Sequence, residues 1–443
     1  MSAGPAPVPP IPADTLLIFL VQCGTLLLLA VALGRLAARA GLPPVMGELA
    51  AGVLAGPSLL AVVWPGAWAA LFPPDPAQAH LLDGVAQLAT LLLVGATGAQ
   101  VDLGLVRRRG LTAARVSVAG LVLPLGLGVA AGFWVPATLM GPAASRPVFA
   151  LFIGVAMCVS AIPVIAKILL DMRLLHRDIG QLTLIAGMID DVCGWLLLAV
   201  VSALATAHGQ SVLLPVAALA GVLAVTALAR PVVGRVMRAA AASPDPGPPI
   251  AAAVTMLLLA GAATHALRLE AILGAFLCGV LIRASGIEMA RLAPLNTMVR
   301  SVLAPLFFAT AGLRMDLTGL ADPRLLLTAL ALLAVAVAGK FAGAWLGALS
   351  SRLSGWEALA LGAGMNARGI VQIIIAMAGL RLGVLGTEAY TVIVLVAMAT
   401  SLMAPPILRL AMPHVEHTDE ERRREREHLS AFGHVGEGDE TRR

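Results

Sequence analysis

The chain has 443 residues, of which 59% are hydrophobic and only 12% are charged, with a formal net charge of +5. A soluble domain carries about 25% charged residues, so the composition excludes an ordinary soluble protein and predicts a polytopic membrane protein. The basic residues lie in short segments between apolar runs, which argues against nucleic-acid binding. The four cysteines are far apart within apolar segments, so we expect neither a disulfide framework nor a metal cluster.

Apolar runs recur along the chain, each close to the ~20 residues that span a bilayer. They predict an all-α membrane protein of about thirteen transmembrane helices, and the N-terminus shows no signal-peptide pattern. The predicted spans are 14–36, 44–63, 84–103, 110–134, 148–170, 179–205, 211–229, 249–267, 270–284, 296–314, 324–346, 356–379 and 387–410.

The loops between these spans alternate between arginine-rich and arginine-poor segments. Arginine-rich loops face the cytoplasm under the positive-inside rule. We therefore expect a multi-pass protein of the cell membrane, in a bacterium the inner membrane, with its N-terminus outside and its C-terminus inside. Residues 1–13 would form an extracytoplasmic segment. Residues 412–443 would form a solvated, charged cytoplasmic tail made of a short helix plus disorder.

Two stretches of the first half resemble two stretches of the second half. The segment LLLVGATGAQVDL (91–103) aligns without a gap with PLFFATAGLRMDL (305–317). The alignment matches Gly98, Asp102 and Leu103 to Gly312, Asp316 and Leu317. Earlier in each half, Glu48 and Gly52 align with Glu270 and Gly274. The predicted topology gives the two halves opposite directions, so this similarity indicates an inverted-topology repeat with a transport site near the midplane.

Two spans, one in each half, carry residues that interrupt a helix. Pro163 lies inside the fifth span and disfavours helix at the residue before it, which makes Ser160-Ala161-Ile162-Pro163 a candidate unwound segment. The twelfth span holds Asn366, Arg368 and Gly369 in its first half. Pro163 alone could be an ordinary kink, but a pair of broken helices in corresponding halves points to a transporter site. Arg368 would satisfy carbonyls freed by the break or pair with an acid.

Asp190 and Asp191 lie side by side near the middle of the sixth span. Each carboxylate costs about 2.5–3.5 kcal/mol at a bilayer centre on insertion scales, and adjacent helical residues point about 100° apart, toward different partners. Nearby carboxylates oppose each other's ionisation, so one of them can hold a proton or a small cation in turn. This chemistry fits cation–proton exchange, and the alternative is a buried structural salt bridge.

The chain contains only two lysines, Lys167 and Lys340, among its 30 lysine and arginine residues. Both fall within apolar spans. Buried lysine can lose its proton, whereas arginine keeps it, so Lys340, deep in the eleventh span, is a candidate charge partner for one aspartate. Lys167 lies near a predicted cytoplasmic end, where a snorkelling side chain explains it as well.

These segments resemble the cation:proton antiporter-2 family of monovalent cation/proton antiporters. The resemblance covers about residues 14–411 and rests on MGELAAGVLAGPSLL, SAIPVIAKILLDMRLLHRDIGQLTLIAGMIDDVCGW, PLFFATAGLRMDL, and MNARGIVQIIIAMAG followed by VLVAMATSLMAPPIL. The resemblance implies a thirteen-span exchanger domain with crossed broken helices. This domain would consist of a core of about 84–205 and 296–411 and a dimerisation domain of about 14–63 and 211–284. The resemblance also implies homodimers and elevator-type alternating access.

The resemblance also implies roles for individual residues. Asp191 matches the carrier of the cation and the proton, Asp190 matches a carboxylate that pairs with a lysine, and Lys340 matches that lysine. Ser160 matches the lining of the ion site. Asp190 and Asp191 would together form a Na⁺ transport site, supported by the broken-helix residues Pro163, Asn366, Arg368 and Gln372. If Asp191 and Lys340 each release a proton for one cation, exchange is electrogenic.

The chain departs from the family pattern at two points. Gln372 stands where many relatives have a carboxylate. The chain also lacks the nucleotide-binding regulatory domain that follows the membrane domain in potassium-efflux relatives. Those relatives typically carry Gln-Asp where this chain has Asp-Asp. Both departures favour a sodium/proton exchanger over a K⁺/H⁺ antiporter or K⁺ efflux protein, which remain alternatives. Remoter alternatives are a transport-dead sensor and an intramembrane aspartyl protease.

We expect partners to be monovalent cations, protons and membrane lipid, with no enzymatic activity, no cofactor and no nucleic acid. The sequence shows none of the phosphate-binding, dinucleotide-binding or nucleophile-elbow motifs that would indicate an enzyme. A role in pH homeostasis is the expected use of such exchange.

Overall fold

The computed structural model describes residues 10–101, 110–174, 177–206, 213–267, 269–416 and 421. These residues are nearly all helical and include no β-strand beyond an isolated antiparallel bridge between Met140 and Leu385. The α-helices are α1 (Ala13–Arg39), α2 (Pro44–Ala55), α3 (Leu60–Val63), α4 (Pro65–Leu71), α5 (Pro76–Gly98), α6 (Gly110–Trp134), α7 (Arg146–Cys158), α8 (Ile162–Asp171), α9 (Asp178–Thr206), α10 (Leu213–Ala241), α11 (Gly247–Ala266), α12 (Ala271–Ala284), α13 (Ala293–Met298), α14 (Ala304–Leu313), α15 (Pro323–Ser350), α16 (Gly355–Asn366), α17 (Ile370–Arg381) and α18 (Thr387–Ala411).

Ten helical segments of the described chain are long and apolar enough to cross a membrane, and the bent pair of α16 and α17 brings the number to eleven. Two further predicted spans correspond to the shorter apolar helices α7 and α12. Every predicted span therefore contains helix, which confirms the all-α membrane fold, while the count of thirteen stays a prediction. Predicted ends differ most at α5, which begins at Pro76, and at α10, which continues to Ala241. Hydropathy marks the apolar part of a helix and misses such polar extensions.

Backbone contacts divide the chain into two compact units. One comprises residues 1–93 and 294–318, and the other comprises residues 94–293 and 319–443. In the first unit, α1, α2 and α14 pack around a small apolar cluster. Its members are Leu26, Ala30, Ala51, Ala55, Leu306 and Ala309. The division into a core and a dimerisation domain suggested by the sequence stays a prediction.

In the second unit, α6 lies between α7 and α15, and glycines permit both contacts. Gly339, Gly343 and Gly347 of α15 meet the backbone of α6 so closely that an added Cβ would clash at each position. Gly128 and Gly132 of α6 approach α7 in the same way. Small residues let membrane helices pack backbone to backbone. This packing brings Lys340, which follows Gly339, close to α6.

The reciprocal packing of the repeated segments supports the inverted repeat. In the first unit, Gly52 of α2 lies against Ala309 of α14. In the second unit, Gly98 of α5 lies against Phe276 of α12. In the sequence alignment, α2 corresponds to α12 and α5 corresponds to α14. Each repeat therefore pairs one helix with the opposite repeat. Asp102 and Leu103, the last aligned residues of the first half, lie outside the described residues.

The two interrupted helices meet at their breaks. The chain is non-helical at Val159–Ala161, between α7 and α8, and at 367–369, between α16 and α17, where the helix bends by 45°. The Ala161 N–H donates to the Ala367 carbonyl at 3.2 Å, joining the two breaks. The predicted unwound segment was placed too late, because Ile162 and Pro163 already belong to α8. Proline is tolerated in a first helical turn, where its missing N–H is not needed.

Candidate functional site

Asp190 of α9 is fully buried and accepts three hydrogen bonds from three different parts of the fold. Ser117 of α6 donates to Oδ1 at 2.6 Å. Lys340 Nζ of α15 and Ser160 Oγ, from the break after α7, both donate to Oδ2, at 2.7 Å and 2.8 Å. Buried charges require a partner and satisfied hydrogen bonds, and Asp190 has both.

Lys340 is also completely buried, and its ammonium forms a salt bridge with Asp190. A buried ion pair contributes little net stability, because desolvation offsets most of the attraction. Removing one partner is nevertheless strongly unfavourable, because the other charge remains uncompensated. The pair is therefore neutral overall as observed, and separating the two charges would leave each of them in need of a new partner or a change of protonation.

Asp191 differs sharply from its neighbour. Its side chain is fully buried, yet neither oxygen has a hydrogen-bond partner among the described residues. The backbone N–H of Ile162, at the start of α8, is near this carboxylate but forms no hydrogen bond with it. A buried carboxylate without donors cannot stay ionised at low cost, so it favours binding a proton or a cation.

Ser160 connects this centre to the second broken helix. Its hydroxyl lies 2.8 Å from Asp190 Oδ2 and 2.7 Å from the Met365 carbonyl near the end of α16. A hydroxyl has one proton to donate, so it can serve only one of these acceptors fully at a time. When it donates to Met365, its lone pairs are free to coordinate a hard cation, which prefers oxygen ligands.

Arg368 lies between α16 and α17 and is fully buried. Its Nη2 donates to the carbonyls of Met157, at 2.6 Å, and Ala336, at 3.0 Å, and no described acid pairs with it. Of the two roles considered from the sequence, the structure therefore shows the satisfaction of carbonyls, including one at the end of α7. The Ser401 hydroxyl donates to the Arg368 carbonyl and holds the break from the other side.

The other predicted supporting residues flank the same breaks. Asn366 ends α16, next to Met365, and both of its side-chain polar atoms lack partners within the described chain. Gln372, in the first turn of α17, donates through Nε2 to the Ile393 carbonyl at 3.2 Å, while its Oε1 has no partner there. Pro163 lies in the first turn of α8. The structure thus brings Asp190, Ser160 and Lys340 into direct contact and places the supporting residues at the breaks.

No group of three or more His, Cys, Asp or Glu side chains in the described ranges could hold a metal ion. The candidate Na⁺ site consists instead of carboxylate, hydroxyl and carbonyl oxygens, in which Na⁺ would be cargo.

The site thus combines a buried carboxylate that has no hydrogen-bond partner in the described chain, a buried lysine–aspartate pair, and two helix breaks joined by a hydrogen bond. Residues 25–412 match the family model described as "Sodium/hydrogen exchanger, transmembrane". The chain belongs to the sodium/hydrogen exchanger family. It is therefore a multi-pass membrane protein of a transporter family, as the sequence predicted.

Individual relatives of this exchanger agree with that assignment. The Na(+)/H(+) antiporter NhaS4 of Synechocystis is 30% identical over 412 residues, covering 91% of this chain and 99% of the relative. Cation/H(+) antiporter 18 of Arabidopsis thaliana is 29% identical over 83% of this chain, and the match covers 45% of that longer protein. K(+)/H(+) antiporter 1 of Saccharomyces cerevisiae is 28% identical over 84% of this chain, and the match covers 44% of that longer protein. The fold matches the sodium proton antiporter MjNhaP1 of Methanocaldococcus jannaschii, with a TM-score of 0.67 at 14% identity over 90% of this chain and 99% of that one.

Sequence reasoning missed Ser117 as a partner of Asp190 in the exchanger. Ser117 lies between Val116 and Val118 in a largely apolar run, and the nearest polar residues, Arg115 and Thr112, lie toward the start of the helix. A completely buried serine about two turns into a transmembrane helix is a weak signal, because serine can bond to its own helix. Here the hydroxyl bonds to another helix instead.

The beginning of α9 is held by the C-terminal segment. Glu421 is 1% exposed and pairs with Arg177 at 3.1 Å, and it also accepts from the Asp178 N–H at the helix start. Arg177 in turn donates to the carbonyls of Val415 and Glu416. The expectation of a wholly solvated tail is therefore wrong at Glu421. Its carboxylate is stabilised by the positive end of the helix dipole.

Proposed function

We propose that the chain is a secondary active antiporter that exchanges Na⁺ for protons across the membrane. The observation that carries this proposal is the contrast between two adjacent buried carboxylates. Asp190 is fully satisfied by Lys340, Ser117 and Ser160, whereas Asp191 has no partner among the described residues. A carboxylate in that position can hold a proton or a monovalent cation, and competition between the two couples their transport.

A cation at Asp191 would also act on the neighbouring ion pair. In the cation-free state Lys340 pairs with Asp190. A cation that recruits Asp190 as a second ligand separates that pair, and burial disfavours the charged lysine once its counter-ion is gone. Asp191 and Lys340 would then each release a proton for one cation. This scheme makes exchange electrogenic, and Ser160 can offer its oxygen to the cation by donating to Met365.

We also propose alternating access by an elevator-type movement, in which the two helix breaks, joined by the hydrogen bond from Ala161 to Ala367, would move together with the site. We further propose a homodimer in the cell membrane of a bacterium, with the N-terminus outside and the C-terminus in the cytoplasm. The arginine distribution supports the orientation. The name of the Synechocystis relative supports a bacterial Na⁺/H⁺ exchanger.

K⁺/H⁺ exchange is the second candidate, because the yeast relative is named a K(+)/H(+) antiporter. The full-length similarity to a Na(+)/H(+) antiporter favours Na⁺. An intramembrane aspartyl protease needs two aspartates facing each other. Asp190 and Asp191 are instead consecutive on one helix, with Asp190 committed to Lys340.

The test is cation-induced pH change in proteoliposomes that contain the purified protein and a pH-sensitive dye. External Na⁺ should alkalinise the lumen, with K⁺ and Li⁺ as comparisons, and Asp191→Asn should abolish the response. Asp316→Asn is the matched control, because that carboxylate bonds locally to Thr318 near the end of a helix. Equal responses of wild type and Asp191→Asn would overturn the assignment.

Voltage dependence tests the stoichiometry separately. If more than one proton moves per cation, an imposed membrane potential should change the exchange rate, and Lys340→Gln should weaken that dependence. Exchange that ignores the potential would show that Lys340 is only a structural partner of Asp190.

A further inference from the structure

One face of α9 carries three polar side chains, with the apolar Leu198 between the second and the third. A helix turns about 100° per residue, so Asp191, Trp195 and Ser202 fall within an arc of roughly 40°. Asp190 points about 100° away, toward Lys340. We call the face formed by Asp191, Trp195 and Ser202 the α9 stripe.

Each member of the α9 stripe is buried, with exposures of 0%, 1% and 2% in chain order. Each also has side-chain polar atoms without a hydrogen-bond partner in the described parts of the chain: both oxygens of Asp191, Nε1 of Trp195 and Oγ of Ser202. Buried polar groups are normally hydrogen-bonded, and exceptions call for an explanation such as water or an ion.

Other polar side chains of α9 behave differently. The hydroxyls of Thr183 and Thr206 donate to carbonyls of their own helix one turn back, as is usual at such positions. Ser202 does not, although the same carbonyl geometry is available to it. The unpartnered atoms of this helix are therefore concentrated on the α9 stripe.

The α9 stripe extends from Asp191 in one direction only. A rise of 1.5 Å per residue places Trp195 about 6 Å and Ser202 about 16 Å beyond Asp191, toward the C-terminal end of α9. In the other direction the same face carries Gly187, Leu184 and Gly180, which have no polar side-chain atom.

An aromatic contact closes the α9 stripe next to the carboxylate. The ring of Trp195 lies against Phe276 of α12, with centroids 5.9 Å apart and planes tilted by 39°. Both residues are 1% exposed. Trp195 thus separates Ser202 from Asp191 with an apolar surface and still presents an indole N–H that can donate to water.

From these observations we propose that the α9 stripe is the route by which water, protons and the cation reach Asp191 from the C-terminal end of α9, with Trp195 and Phe276 as its constriction. The proposal rests on the antiport function proposed above. Ser202 and Trp195 would supply hydrogen bonds to the water that accompanies the transported ions.

Cysteine accessibility tests the route without measuring transport. In a background with Cys23, Cys158, Cys193 and Cys278 replaced by alanine, Ser202→Cys is compared with Val201→Cys. Val201 is equally buried, at 1%, and lies at the same depth on another face of α9. A small, positively charged thiol reagent is applied to the purified protein in detergent, so that both membrane faces are exposed to it.

We expect the cysteine at position 202 to react about tenfold faster than the one at position 201, because water reaches the first thiol and not the second. Leu198→Cys, on the same face and also 1% exposed, provides a second reporter if Ser202→Cys does not fold. Equal rates on the two faces would overturn the route. This contrast would appear even if the ion were not Na⁺, so failure of the route is distinguishable from failure of the proposed function.

A second variant tests the use of the indole N–H. Trp195→Phe keeps the aromatic contact with Phe276 and removes the donor. We expect the maximal exchange rate to fall several-fold while the unfolding midpoint is unchanged. An unchanged exchange rate would contradict the role of Trp195 in conducting water or ions.

Discussion

Separating Lys340 from Asp190 should have a large and non-additive energetic effect. The two charged atoms lie 2.7 Å apart and neither side chain is exposed. Removing one member of a buried pair typically costs about 3–5 kcal/mol. For Lys340→Met we expect the lower end, about 3 kcal/mol, because Ser117 and Ser160 still donate to Asp190. For Asp190→Asn we expect a similar loss, because the ammonium of Lys340 then has no counter-ion.

The double variant should be close to wild type in stability, since it removes both charges and replaces them with groups of similar size. The free energy of unfolding in detergent, followed by tryptophan fluorescence, gives all four corners of the cycle. Asp316→Asn serves as a charge-removal control outside the pair. A loss in the double variant equal to the sum of the single losses would refute the reasoning, because it would show that the two residues do not stabilise each other.

Three other predictions concern residues around this pair. Asp191→Asn should leave the unfolding midpoint nearly unchanged while abolishing Na⁺-driven proton flux, and residual flux in the purified variant would contradict the carrier role. Ser117→Ala should lower the free energy of unfolding by about 1.5–3 kcal/mol, the usual contribution of a hydrogen bond to a charged group. Ser117→Thr, which keeps the hydroxyl, should have a free energy of unfolding close to that of the wild type. Glu421→Gln should expose the C-terminal segment to faster limited proteolysis, whereas Glu416→Gln, whose side chain is exposed, should not; equal cleavage rates would show that the ion pair with Arg177 does not hold the segment.

Much of the fold follows from physics that a single sequence displays. Apolar runs of bilayer length located every helix in the described residues except the short α4 at Pro65–Leu71, because the membrane forces each backbone group to bond within its own segment. Helix ends were less well placed. The start of α5 and the end of α10 lie in polar extensions, where contacts with neighbouring elements and not hydropathy decide whether the chain is helical.

The residues of the candidate site could be predicted where they differ from the residue types that the rest of the chain uses. Adjacent aspartates in an apolar run, and a lysine in a chain that otherwise uses arginine, both stand out against their surroundings. The lone deep lysine suggested a pairing with one aspartate, the family resemblance assigned it to Asp190, and the structure adds the distance between Lys340 and Asp190. Ser117 could not be found in this way, since whether a serine bonds its own helix or another one depends on packing.

The C-terminal segment shows the limit of reasoning from charge. Its alternating acidic and basic residues have no apolar periodicity, which is typical of a solvated tail. Glu421 is buried nonetheless, because the Arg177 guanidinium and the first amide of α9 provide donors that compensate for its loss of water. Such a contact joins residues far apart in the chain and leaves no local pattern.

Uptake of radioactive sodium against its own gradient tests coupled exchange most directly. Proteoliposomes are loaded with acidic buffer and equal Na⁺ inside and outside, then diluted into alkaline buffer. The account predicts that the outward proton gradient drives Na⁺ to accumulate in the lumen, that collapsing the proton gradient stops the accumulation, and that Asp191→Asn shows none. Sodium that only equilibrates, with or without the proton gradient, would contradict antiport.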